Sequence, residues 1–177
     1  MVYFIHRPHL AYDMAKTDSF FIRATAAFDG INFVQESIDL GAYVDALGKS
    51  VLRIHNVAVK YGSAIQVPDT TTNAGAVGYQ LTTQSQSALV SLDDKSVIAS
   101  GTYTYSTDAA GNQLYSSDAQ DLSPQSWRNG YLIGVEQIYL GIDQALATSF
   151  TRLSVVLECT VETLSQSAAM ALALSQQ

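Results

Sequence analysis

The sequence predicts an all-β protein, a sandwich or barrel of about eight antiparallel strands, and three observations predict it. Apolar residues recur at every second position through most of the chain, the period of a strand with one buried face. Clusters of Gly, Asn, Asp and Pro punctuate those runs at fairly even spacing, as turns between short strands do. Helical periodicity never extends beyond about two turns before residue 165.

The first strand is read from 19 to 28, where Phe20, Ile22, Ala24, Ala26 and Phe28 share a face and Arg23 and Thr25 take the other. Asp29-Gly30 turns the chain, because Asp-Gly between apolar runs is a strong hairpin signal, and residues 31–38 return. Leu40, Tyr43, Val44 and Leu47 then stand at i, i+3, i+4 and i+7 and predict a short inter-strand helix, capped by Asp39 and stopped by Gly48. At two turns such a helix needs a sheet to pack on. Residues 50–61 (SVLRIHNVAVKY) form the next strand, and the Thr-, Asn- and Pro-rich stretch 62–75 a loop. Strands are expected at 77–84, 87–92, 97–105 and 113–117, with turns at Asp93-Asp94-Lys95 and at 108–112. Residues 118–129, around Pro124 and Trp127, read as a loop, 131–140 as a strand, and 141–149 as a loop or one helical turn. The clearest strand is 152–164. Leu153, Val155, Leu157, Cys159 and Val161 point one way, and Arg152, Ser154, Glu158, Thr160 and Glu162 point to a wetter face. The Ala- and Leu-rich end, 165–177, is expected to form a tail or a short docking helix.

At 177 residues the chain fits one domain with a full core or two very small ones, and no repeat or composition break marks a second. Charged residues are 14% of the chain, well below the roughly 25% usual in soluble domains, and hydroxyl and amide side chains take their place. Burying an amide costs less than burying an ion, so such a surface suits contact with copies of itself. The net charge of -7 and the scatter of Arg7, Lys16 and Arg23 argue against an arm that displaces counterions from phosphates. No apolar stretch approaches the ~20 residues of a membrane helix, and the first residues do not have the form of a secretory leader.

Residues that could carry chemistry are few. Cys159 is the single cysteine, so there is no intrachain disulfide, and its place in an apolar register reads as a small buried hydrophobe. His6 and His9 flank Arg7-Pro8, where proline breaks any helical pairing of imidazoles, and His55 lies mid-strand and reads as a hydrogen-bonded side chain. Neither a paired-histidine metal site nor a nucleophile elbow nor a phosphate-binding glycine motif occurs, so no enzyme and no cofactor is expected. Asp93-Asp94, Asp108 and Asp118 with Asp121 could hold Ca²⁺, yet no spacing matches a defined calcium loop, and Asp favours turns for its own reasons. Ten tyrosines stand against one tryptophan, which suits either a sugar-stacking platform or subunit contacts. Trp127, beside Arg128, is either an interface anchor or a plug under its loop.

Strand number and order over residues 19–164, the helix at Leu40–Leu47 and the long alternating last strand together resemble the single jelly-roll capsid proteins of tailless icosahedral viruses of prokaryotes. The resemblance implies two four-stranded sheets, trimeric or pseudo-hexameric capsomers, and termini that bridge subunits. Residues 1–18 would be an N-terminal extension against neighbours, 19–164 the jelly-roll domain and 165–177 its tail. The implied role is a structural virion protein that self-assembles into a shell, made in the host cytoplasm without a signal peptide and located in the virion. Its partners would be copies of itself and other virion proteins. Candidate subunit contacts are Tyr3, Phe4, Trp127, Arg128, Met170, Leu172 and Leu174. The sequence departs from the pattern in having no clearly basic internal arm, so specific nucleic-acid binding is not expected. Two alternatives differ in kind. One is a cementing, decoration or fibre protein of a capsid. The other is a lectin-like cell-surface module, which predicts a leader and an exposed aromatic cleft.

Overall fold

The structure, a computed structural model, describes residues 16–45, 47, 49–63, 74–107, 113–120, 126–145 and 150–177. Among the described residues nine strands and one helix follow in order: β1 (Phe20–Ala27), β2 (Val34–Asp39), β3 (Ser50–Tyr61), β4 (Ala74–Thr82), β5 (Val97–Thr107), β6 (Gln113–Gln120), β7 (Ser126–Ile133), β8 (Gln137–Ala145), β9 (Arg152–Thr163) and α1 (Gln166–Ser175).

Pairing is nested and antiparallel throughout: β1 lies on β9, β2 on β8, β3 on β7 and β4 on β5. That long ribbon wraps into two layers, a four-stranded sheet ordered β1-β9-β3-β7 and a five-stranded sheet ordered β2-β8-β4-β5-β6. A doubled-over ribbon split between two facing sheets is a jelly roll. The second sheet has five strands rather than the four that were implied, because β6 is added outside β5 and pairs with it alone among the described residues.

The inner faces follow period two. Leu153, Val155, Leu157 and Cys159 of β9 are buried, as are Val77, Tyr79 and Leu81 of β4 and Ile138, Leu140 and Ile142 of β8. In β3 the register on both neighbours shifts between Ile54 and Asn56. The extra residue of that bulge lets Leu52, Ile54, Val57 and Tyr61 all face inward although the spacing breaks. Tyr61, Tyr79, Tyr103 and Phe150 close one end of the core, with ring centroids 5.5–6.4 Å apart. Tyr61 and Tyr79 are buried and Tyr103 packs partly buried against them, so these three tyrosines serve the interior.

Several local expectations are corrected. The Leu40–Leu47 helix is one hydrogen-bonded turn: Tyr43 and Val44 both donate to the Leu40 carbonyl, at 2.8 and 2.9 Å, and Asp39 Oδ1 caps it by accepting from Gly41 N–H at 2.8 Å. Asp45 and Ser50 exchange two backbone bonds immediately afterwards, which returns the chain to β3 before a second turn can form. Gly48 lies outside the described residues, and the left-handed position is Lys49, at φ 75°. Residues 118–120 and 126–129 are strand rather than loop, so Trp127 sits on β7. The expected strand 131–140 is two, parted at 134–136, and 141–145 continue β8. Residues 87–92 form no strand. They lie in a crossing between β4 and β5 in which Val90 N–H and C=O are both bonded by the side-chain amide of Gln80. The 108–112 turn falls outside the described residues.

Candidate functional site

The outer face of the four-stranded sheet carries a polar cluster that includes both ion pairs found among the described residues. Glu162 projects from β9 on the side expected to be wet, yet its side chain is only 6% exposed. Arg53 of β3 grips it through both oxygens, Nε to Oε1 at 2.8 Å and Nη2 to Oε2 at 2.6 Å. The same guanidinium donates to the Asn129 carbonyl of β7. Lys16 approaches Glu162 Oε1 at 3.4 Å, where residues 16–17 extend the β1 edge: Thr17 N–H donates to the Val161 carbonyl at 3.1 Å, and Thr17 Oγ1 accepts from Val161 N–H at 2.9 Å. Two cations facing one carboxylate hold the Glu162 carboxyl below its ordinary range, with the Arg53 hydrogen bonds the largest cause. Next along the face, His55 Nε2 and Thr160 Oγ1 are 2.9 Å apart. Burial, then the charge of Lys16, push the His55 imidazole below its ordinary value. This is an architectural cluster that ties β3, β7, β9 and the lead into β1 together. Among the described residues no group of three or more His, Cys, Asp or Glu could hold a metal ion.

Gly130 makes this clasp possible. Its φ is +71°, and a Cβ there would lie 2.5 Å from Arg53 Cγ and 2.9 Å from the Ile54 carbonyl. Only glycine lets β7 bend this close to β3.

Beside the clasp, α1 lies against β7. Ser165 caps it, its hydroxyl accepting from Ala168 N–H at 3.3 Å. Ala169 and Ala173 are its buried residues, and Leu172 is half-buried near Gly134. Met170 and Leu174, one turn apart, are 45% and 68% exposed. The helix has no acidic residue in its first turn and no basic residue in its last. Of the other expected contact residues, Trp127 is half-buried against the core and packs on Tyr131 at 5.7 Å between centroids, and Arg128 is exposed. Tyr3 and Phe4, like His6, His9, Asp108 and Asp121, lie outside the described residues.

A depression of about 430 Å³ lies on the outer face of the five-stranded sheet, over Ala76, Gly78 and Ala145, between Ile31 and Leu89. Asp143 is its one charged group and it has no aromatic wall. Asp94 keeps to its turn, Oδ1 accepting from Ser96 N–H at 2.8 Å and Ser96 Oγ at 2.7 Å. No signal in the sequence pointed to the Glu162 cluster, because Arg53 and Glu162 are 109 residues apart along the chain.

No family model matches the chain, and no curated protein matches it. Among solved structures it is similar to a chain of Desmodium yellow mottle tymovirus, with a TM-score of 0.41 and 11% identity over 92% of this chain and 94% of that one. A chain of turnip yellow mosaic virus gives 0.41 and 12% over 92% and 88%, and the empty head of that virus gives 0.37 and 12% over the same shares. At scores this low the likeness carries no argument, and the jelly-roll assignment rests on strand order and register.

Proposed function

We propose that this chain is a structural subunit that assembles with copies of itself into a closed virion shell, in the manner of the single jelly-roll capsid proteins of tailless icosahedral viruses of prokaryotes. The observation that carries the reading is α1, which turns Met170 and Leu174 outward on a helix without charge. Exposed apolar side chains on a helix that carries no charge of its own are costly for a free subunit and favourable for one that is covered. The low overall charge works in the same direction, since little ionic desolvation opposes contact. Met170, Leu172 and Leu174 of α1, Arg128 and the half-buried Trp127 of β7, and Tyr3 and Phe4 of the N-terminal extension 1–18 form the proposed contact set. The polar clusters serve architecture, so the reading includes no catalysis, no cofactor and no specific nucleic-acid contact. A lectin-like role is less well supported, because the hollow over Gly78 offers one carboxylate and no aromatic ring for a sugar to stack on.

The test is the mass and shape of the native species by multi-angle light scattering and negative-stain imaging. Capsomer-sized oligomers or closed particles are expected. A monodisperse monomer at tens of micromolar would overturn the proposal.

A further inference from the structure

β7 is an edge of the four-stranded sheet, and an edge strand presents backbone donors and acceptors to any passing chain. Ile133 pairs with Leu52 of β3, and its two neighbours direct a C=O and an N–H away from the sheet. Both of these groups are occupied by one side chain. The Gln176 amide accepts from Gly134 N–H through Oε1 at 2.8 Å and donates from Nε2 to the Leu132 carbonyl at 2.7 Å. A carboxamide offers the same donor and acceptor as a peptide group, so Gln176 stands where one residue of a tenth strand would stand.

The element that delivers this amide is weakly attached. α1 has ten residues, a length at which an isolated helix is marginal in water. It buries Ala169 and Ala173 against the body and half-buries Leu172 beside Gly134, a small apolar area for a whole element. Beyond Gln176, its end is held by Lys95 Nζ donating to the Gln177 carbonyl at 3.3 Å. The sheet beneath is held by fully buried Leu52, Ile54, Ile133 and Leu157.

We infer that α1 is a detachable cover for the β7 edge. It lifts in a local opening long before the sandwich unfolds, and in lifting it withdraws the Gln176 amide and exposes the Leu132 carbonyl and the Gly134 N–H. This holds for the single subunit, whether or not the chain builds a shell.

Amide hydrogen exchange of the full chain, resolved by NMR, tests it. Gly134 N–H is expected to exchange together with the α1 amides, at least ~100-fold faster than Leu157 N–H in β9, because sub-global openings expose only the elements that move. Gln176→Ala should speed Gly134 exchange by a further ~10-fold or more and leave Leu157 unchanged. The same must hold if the variant loses α1 altogether, as judged by circular dichroism, since the edge is then open. Three results would overturn the inference: Gly134 as slow as Leu157 in the natural chain, Gly134 unprotected in it, or Gly134 indifferent to Gln176→Ala.

Discussion

Arg53 and Glu162 face each other across β3 and β9 with two near-parallel hydrogen bonds of 2.8 and 2.6 Å, on the side of the sheet turned away from the core. Removing one partner leaves a buried charge without compensation, which costs about 3–5 kcal/mol in comparable pairs. Glu162→Ala is therefore expected to lower the urea midpoint by a stability loss of about 3 kcal/mol. The double variant Arg53→Met, Glu162→Leu should recover most of it. Lys16→Ala should cost under ~1 kcal/mol, because that side chain is 49% exposed. Equal losses at Lys16 and Arg53 would contradict this ranking.

Acid should weaken the fold in two stages. The imidazole of His55 is easier to protonate in the unfolded chain than in the native one, so its contribution is complete above its ordinary value of 6.5 and declines as pH falls below that. The Glu162 carboxylate is harder to protonate when folded. Its contribution is complete above about 4.5 and is lost as pH falls through the depressed native value. The groups facing them are Lys16, Arg53 and Glu158. Denaturant midpoints measured from pH 8 to 3 should fall in both windows, and His55→Gln should flatten the upper window alone.

Cys159 faces the core and is fully buried, and burial, with Glu158 adding to it, pushes its thiol up to about 12. Since the thiolate is the reactive form, a disulfide reagent at pH 8 should label the native protein only at the rate of unfolding. Full labelling should appear once denaturant is added. Rapid labelling of native protein would place Cys159 elsewhere.

Gly130→Ala should destabilise the protein by about 2–4 kcal/mol, combining a left-handed backbone with a Cβ pressed on the Ile54 carbonyl. Gly30→Ala, also at positive φ but with open space around it, should cost only about 1 kcal/mol. Thermal melts of the two variants compare them directly.

Met170→Ser with Leu174→Ser should leave monomer stability within about 0.5 kcal/mol, as substitutions at exposed sites do. The same pair should shift light-scattering mass towards the monomer. An unchanged particle would remove α1 from the contact set.

Where the sequence was legible, one physical signal carried it. In β3 and β9 a half-buried strand writes period two into its own residues, and the bounds of β3 were read as they stand. The short segment at Leu40–Leu47 misled because Leu40 and Val44 are buried as on a helix, while Tyr43 instead stacks on Phe20 at 4.8 Å and Leu47 points to solvent. Residues 118–120 and 126–129 are mostly polar, and are strand because β5 and β3 supply backbone partners that local propensity cannot show. Glu162 and Thr160 looked wet for the same kind of reason. What covers them is Arg53, Lys16 and His55, brought in from other strands.

The placement of β9 has a consequence for how the chain is made. It lies between β1 and β3 and bonds to both, so the larger part of one layer has no centre until residues 152–163 have emerged from the ribosome. Throughout synthesis β1 and β3 wait with unmatched backbone and bare inner faces, at a separation in sequence that makes closure slow. Closure of this layer thus waits for β9, and a growing polysome carries many such half-built layers side by side, where one chain's β9 can enter another's gap.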